Sequence, residues 1–133
     1  MDIVLRTNAA DPSLELRNCH ACGSDSFECA LVVQSLPFRA EQGFWFDRFT
    51  LEQAVVVLDT MNRTLEGSCR LNLQYEDPYV SFSGDGRGHI EVSGLLVQTG
   101  PRFQRLEWEF QTDQTSLSTL IADFRKLLLM PAA

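Results

Sequence analysis

The chain has little of what membrane, secreted and nucleic-acid-binding proteins need. No apolar run approaches the roughly 20 residues of a membrane-spanning helix, and the first residues lack the basic start and apolar middle of a secretion signal. Lysine and arginine number 11 against 18 aspartates and glutamates, so the formal net charge is −7. A general nucleic-acid-binding protein needs a basic surface instead. We therefore expect a cytoplasmic protein whose partners are neither membranes nor nucleic acids.

The chain also lacks a recognisable catalytic motif. Ser116 and Ser118 have no Gly-x-Ser-x-Gly frame around them. The glycine-rich segment 84–88 is predicted to join two strands, so no helix N-terminus is there to hold a phosphate. His89 has Glu91 two residues away on the same strand face, but two groups do not make a catalytic site. We expect no enzymatic activity and no cofactor.

What the chain does have is clear periodicity. Apolar and polar residues alternate in several segments, which is typical of strands with one buried face. Two other segments have apolar residues three and four apart, which predicts amphipathic helices. The predicted order is strands at 2–6, 13–18, 27–35 and 44–46, a helix capped by Asp47 or Thr50 and ended by Gly67, strands at 68–75, 79–83, 88–94 and 105–111, and a helix that is capped by Asp113 or Thr112 and frays at Pro131.

Short connections between consecutive strands predict antiparallel pairing. The fold class is therefore α+β: one antiparallel, strongly curved sheet of about seven to eight strands with two helices packed on one face. We expect a single domain over residues 1–133, and the sequence shows no internal repeat.

The face of the sheet opposite the helices is predicted to be solvated, and it carries more carboxylates than bases. A flat polar face with a tyrosine and several acids suits docking of a basic protein, although many solvated sheet faces look similar. The predicted partner-binding residues, beside the accompanying Gln74, are Arg70, Asn72, Tyr79, His89, Glu91, Glu107 and Glu109.

One cluster has the composition of a metal site. Cys19 and Cys22 form a CxxC pair in a predicted loop with His20 between them, and Cys29 follows in the next strand. A structural zinc site usually has a second pair, which is missing here. We predict no bound metal and retain Cys19, Cys22 and Cys29 as candidate ligands; a lasting disulfide is not expected in the cytoplasm.

The segment 44–46 places aromatic rings on both faces of a short strand. One of those faces is then exposed, and exposed aromatic rings favour protein interfaces. Homodimerisation is therefore left open.

The second half of the chain resembles a known family. Its segments 67–71, 88–94, 106–110 and 113–117 look like those of the WapI-type immunity proteins of bacterial polymorphic toxin systems. The resemblance implies a small protein that binds and blocks a cognate toxin domain, without catalysis or cofactor. The segment 19–22 departs from that family. The alternative is a small metal-binding or small-molecule-binding domain.

Overall fold

A computed structural model describes residues 1–6, 12–73, 78–98 and 100–131, which form eight strands and two helices. Within these residues neither helix is long and apolar enough to cross a membrane. A short 3-10 turn, Gln114–Ser116, precedes the second helix. The elements are β1 (Ile3–Arg6), β2 (Ser13–Cys22), β3 (Ser26–Ser35), β4 (Phe38–Asp47), α1 (Arg48–Thr64), β5 (Glu66–Leu71), β6 (Tyr79–Asp85), β7 (His89–Gln98), β8 (Gln104–Asp113) and α2 (Leu117–Leu128).

The strands form two antiparallel sheets of four, in the orders β1-β2-β3-β4 and β5-β6-β7-β8. The predicted α+β class, with antiparallel strands and two helices, is confirmed. The prediction of one strongly curved sheet is not confirmed. α1 comes between β4 and β5 in the chain, and no strand ladder joins the two sheets in the described ranges. The predicted single sheet would have β4 pair with β5, the strands on either side of α1 in the chain.

The chain is thus built from two successive units of four strands and a helix. β3 and β7 are both ten residues long and bury side chains at the same five positions, and β4 and β8 match in the same way at two positions near their ends. Most of the residues at these positions differ, such as Leu31 and Gly94, although Phe44 and Phe110 occupy the same buried position in β4 and β8. The repeat therefore lies more in the burial pattern than in the amino acids.

α1 begins where the sequence predicts. The Asp47 carboxylate accepts a hydrogen bond from the Thr50 N–H at 2.7 Å, which satisfies one of the free donors of the first turn. The helix ends at Leu65, whose φ is +68°, rather than at Gly67 as predicted. A left-handed backbone conformation is unfavourable for a residue with a side chain such as leucine. The Leu65 N–H nevertheless donates to the carbonyl of Met61, so this carbonyl near the end of the helix has a hydrogen-bond partner.

Both helices and the inward faces of both sheets share one apolar core. α1 packs against β5 and α2, and α2 also contacts β1 of the first unit. Aromatic pairs lie at the centre: Phe27 stacks on Phe46 with ring centroids 5.5 Å apart, and Phe82 meets Phe124 edge-on at 6.4 Å. Each helix is therefore held by strands of the unit to which it does not belong.

Three segments differ from the predicted elements. Residues 19–22, predicted as a loop, continue β2 after an irregularity between Arg17 and His20, where Asn18 adopts a φ of +54°. β4 is a strand of ten residues rather than the predicted segment 44–46. All of its residues pair with β3, including outward residues that are not apolar and so gave no strand pattern in the sequence. β5 ends at Leu71, and the predicted continuation to residue 75 passes into the range outside the described residues.

Candidate functional site

The outward face of the second sheet carries most of the predicted partner-binding residues. Alternation along β6, β7 and β8 turns Phe82, Val92 and Phe110 into the core and their neighbours outward. Glu107 and Glu109 are exposed and Glu91 is half-buried, so none of the three carboxylates is sealed inside. We call this surface the acidic face; it comprises Arg70, Tyr79, Glu91, Ser93, Glu107 and Glu109.

The acidic face contains a shallow depression of about 330 Å³, lined by Tyr79 and the three glutamates together with Ser93. Glu109 lies opposite Ser93 on the neighbouring strand, so a hydroxyl rather than a base faces it. Glu107 pairs with Arg105 at 3.5 Å, but this exposed contact is weak. Among the described residues neither Glu91 nor Glu109 has an ion-pair partner. Negative charge on this face is therefore left uncompensated.

Arg70 does not neutralise the depression directly. Its guanidinium lies 3.7 Å from the centre of the Tyr79 ring, a cation–π arrangement that fixes both side chains at the rim. The Tyr79 ring is half-buried beneath it. The rim of the depression thus presents a planar cation and an aromatic ring next to carboxylates, as protein-binding surfaces commonly do.

His89 lies at the end of the acidic face and does not pair with Glu91. Its Nδ1 is 3.2 Å from Asp85 Oδ2, across the loop that joins β6 to β7. The Arg87 N–H donates to Asp85 Oδ1 at 2.7 Å, and this bond, followed by those from His89, lowers the pKa of the Asp85 carboxyl below its usual range. Asp85 and His89 therefore organise the loop.

Asn72 follows the last residue of β5, and its backbone carbonyl has a structural role. Its carbonyl accepts hydrogen bonds from the Asp47 N–H at 3.0 Å and from the Thr50 hydroxyl at 2.9 Å. This contact ties the end of β5 to the start of α1. Asn72 was predicted to face outward because β5 was expected to run further, and Gln74, predicted with it, lies outside the described residues.

The predicted metal candidates do not converge. Cys19 and Cys29 face the core and are buried, whereas Cys22 points to the opposite side of the sheet. The Cys19 thiol donates to the Leu16 carbonyl at 3.3 Å, and contact with Cys19 together with burial raises the pKa of the Cys29 thiol. Buried thiols of this kind behave as small apolar side chains. The CxxC spacing therefore does not make a four-ligand site in this strand.

Cys22 instead approaches His20, which the sequence had grouped with it, and Glu28, which the sequence analysis did not include. Its Sγ is 3.4 Å from Glu28 Oε2, and His20 Nε2 is 3.3 Å from the same oxygen. The ligating atoms of His20, Cys22 and Glu28 all lie within 4.8 Å of one another. His20 and Cys22 share the outward face of β2, and Glu28 is the cross-strand partner of His20, so the strand register gathers all three.

An apolar groove that the sequence did not indicate lies between the β3–β4 hairpin and β8. It has a volume of about 300 Å³ and is lined by Val33, Phe38, Ala40, Leu106 and Trp108 among others. Phe38 is 70% exposed at its mouth, and the Trp108 indole N–H is buried without a hydrogen-bond partner in the described structure. In the segment 44–46 the exposed face carries Trp45, whose ring the sequence had placed in the core, while the rings of Phe44 and Phe46 are buried.

Comparison with known proteins adds no relative to this description. No protein-family model, no curated protein and no solved structure matches the chain. The function must therefore be argued from the surfaces themselves.

Proposed function

We propose that the protein is a toxin-neutralising immunity protein, which binds a cognate cationic toxin domain through the acidic face and blocks it. The observation that carries the proposal is the pair of uncompensated carboxylates, Glu91 and Glu109, beside Glu107 on an exposed sheet face. The resemblance of the second half to WapI-type immunity proteins supports the same role.

Both the net charge of the chain and the carboxylates of the acidic face favour a cationic partner. The whole chain carries a formal charge of −7, which accelerates encounter with a basic protein. Locally, the shallow depression offers carboxylates to lysine or arginine side chains, and the Arg70–Tyr79 pair supplies a rigid aromatic rim. Toxin domains that cleave nucleic acids need a basic surface to hold their substrate. An acidic sheet face that covers such a surface would exclude the substrate by competition.

The test is binding to the protein encoded directly upstream, which this hypothesis expects to contain a basic toxin domain. The variant replaces Glu91, Glu107 and Glu109 by glutamine, which removes charge without changing shape. Charges at an interface rim contribute roughly 0.7 kcal/mol each, so we expect the affinity to fall about 30-fold, mostly through slower association. The loss should shrink as salt is raised, because exposed charges are screened.

A matched control removes the same charge elsewhere. Glu52→Gln, Asp25→Asn and Asp123→Asn alter side chains on other elements, and no ion pair is seen for any of them in the described structure. If this triple variant weakens binding as much as the first, only the net charge matters and the acidic face is not the contact surface. If no basic upstream protein binds the unmodified chain, and coexpression with it does not protect growth, the immunity role is refuted.

A further inference from the structure

The pairing of β2 with β3 brings three potential metal ligands of different types together on the outward side of the hairpin. The irregularity between Arg17 and His20 resets the register, so that His20 pairs with Glu28 and Cys22 with Ser26. Alternation then places His20 and Cys22 on the same face, two residues apart. The Ser26 hydroxyl donates to the Cys22 carbonyl at 2.8 Å and closes the end of the hairpin. The three side chains are held by a strand pair rather than by a free loop.

The separations already resemble the edges of a zinc tetrahedron. Zinc bonds of usual length imply about 3.4 Å between a nitrogen and an oxygen ligand, and about 3.6 Å between a sulfur and an oxygen ligand. The observed distances are 3.3 Å for His20 Nε2 to Glu28 Oε2 and 3.4 Å for Cys22 Sγ to Glu28 Oε2. All three ligating atoms lie within 4.8 Å of one another, so a small inward turn of the side chains would complete the triangle.

The histidine is oriented as metal ligands usually are. His20 Nδ1 is 2.9 Å from the Asn18 carbonyl, which can only accept a hydrogen bond. Nδ1 therefore carries a proton, and Nε2 is the ring nitrogen that faces Glu28 and Cys22 and is available to a metal. A backbone carbonyl behind the ring fixes the tautomer and the ring plane, a role that such partners play in zinc sites. Asn18 adopts its positive φ at this position, which brings its carbonyl under the ring.

We propose that His20, Cys22 and Glu28 form a zinc site of three protein ligands, with the fourth position open to water or to a ligand from a partner. This proposal does not depend on the immunity role. It also differs from a CxxC site, since Cys19 and Cys29 face the core on the other side of the sheet.

Binding has a consequence for protons. A cysteine thiol is ordinarily protonated at neutral pH, and zinc must displace that proton to bind the thiolate. One proton should leave per zinc ion bound at about pH 7, so the apparent affinity should rise about tenfold for each pH unit until the thiol is ionised.

The experiment titrates zinc into the full chain after chelator treatment, in competition with a chromophoric chelator. We expect one equivalent to bind with a dissociation constant below about 10 µM. Cobalt used in place of zinc should give a thiolate-to-metal charge-transfer band. Cys22→Ser should abolish that band and weaken zinc binding about 100-fold, and His20→Gln and Glu28→Gln should weaken it at least tenfold.

His89→Gln is the matched control. It removes the other histidine–carboxylate pair, with its 3.2 Å contact to Asp85 and no cysteine beside it. Zinc affinity should stay within about twofold of the unmodified chain. Circular dichroism checks that every variant is folded, and zinc should raise the unfolding temperature of the unmodified chain but not of the three site variants.

Several outcomes would overturn the site. They are zinc binding weaker than about 100 µM, a thiolate band that survives Cys22→Ser, and unchanged affinity in both His20→Gln and Glu28→Gln. If Cys22→Ser does not fold, these last two substitutions still decide the matter, because both side chains are partly exposed and lie outside the core.

Discussion

Gly94 is the position at which one added methyl group should do the most damage. It lies in the middle of β7, directly opposite Trp108 of β8. A Cβ atom there would come within 2.3 Å of the Trp108 ring and 2.7 Å of the Tyr79 carbonyl oxygen. The ring could turn only by leaving Phe110, on which it stacks at 6.1 Å, and the carbonyl belongs to the backbone of β6. Neither neighbour can give way cheaply.

The magnitude of the Gly94→Ala effect follows from two opposing terms. Overpacking a well-filled site costs about 1–3 kcal/mol, and the backbone contact places this site at the upper end. Replacing glycine by alanine also restricts the unfolded chain, which returns about 0.4–1 kcal/mol. We therefore expect the free energy of unfolding to fall by about 2 kcal/mol, or the midpoint temperature to fall by about 8 °C in a chain of this size.

Gly43 provides the control within the same molecule. It also lies in a strand beside a tryptophan side chain. A Cβ atom added there would be 3.4 Å from the Trp45 ring, which is an ordinary van der Waals contact. Gly43→Ala should be neutral or slightly stabilising. Urea unfolding followed by circular dichroism measures both variants. If Gly94→Ala is as stable as Gly43→Ala, the packing of Trp108 across β7 is not as described.

Two further substitutions test the ends of elements. Asp47→Ala should lower the free energy of unfolding by about 1 kcal/mol, because it removes the acceptor of the Thr50 N–H. Asp47→Asn keeps an acceptor and should lower it by only a few tenths of a kcal/mol. Chemical denaturation compares the two variants, and equal losses would count against the cap. Asp85→Asn should destabilise the chain at neutral pH, but the difference should disappear on acidification. The folded pKa of Asp85 lies below the usual 3.8, so its stabilisation is present above that value and lost as pH falls through the folded pKa. Unfolding midpoints near pH 7 and near pH 3 measure this, and a difference independent of pH would contradict the assignment.

Local patterns predicted the faces of the elements well. The inward residues Phe82, Val92 and Phe110 follow from alternation alone, since a half-buried strand must separate apolar from polar side chains. The helical stripe through Val55 and Leu58 outweighed the β-preference of three consecutive valines, because its period matches a buried helix face. These predictions depend only on residues near one another in the chain.

The partition into two sheets could not be predicted in the same way. Whether β4 pairs with β5 depends on long-range packing, since α1 comes between them in the chain. The cluster of His20, Cys22 and Glu28 was predicted only in part, for a related reason. Residues 19–22 have loop composition, so their alternation was not considered, and Glu28 joins them only through the β2–β3 register. Had this segment been treated as a strand, His20 and Cys22 would have been placed on one face.

The two-unit architecture explains how the two candidate surfaces coexist. Glu28 and Glu91 occupy the same position in β3 and β7, counted from the start of each strand, and Cys22 and Asp85 each directly precede a three-residue loop. Ser83 pairs with Glu91 as His20 pairs with Glu28.

The inward residues of these strands are held to one burial pattern by the shared core, but the outward residues are not. Soft zinc ligands consequently accompany the glutamate only in the first unit, and additional carboxylates only in the second. Because the two surfaces lie on different sheets, Cys22→Ser should leave binding through the acidic face intact, and loss of the carboxylates at 91, 107 and 109 should leave zinc affinity intact.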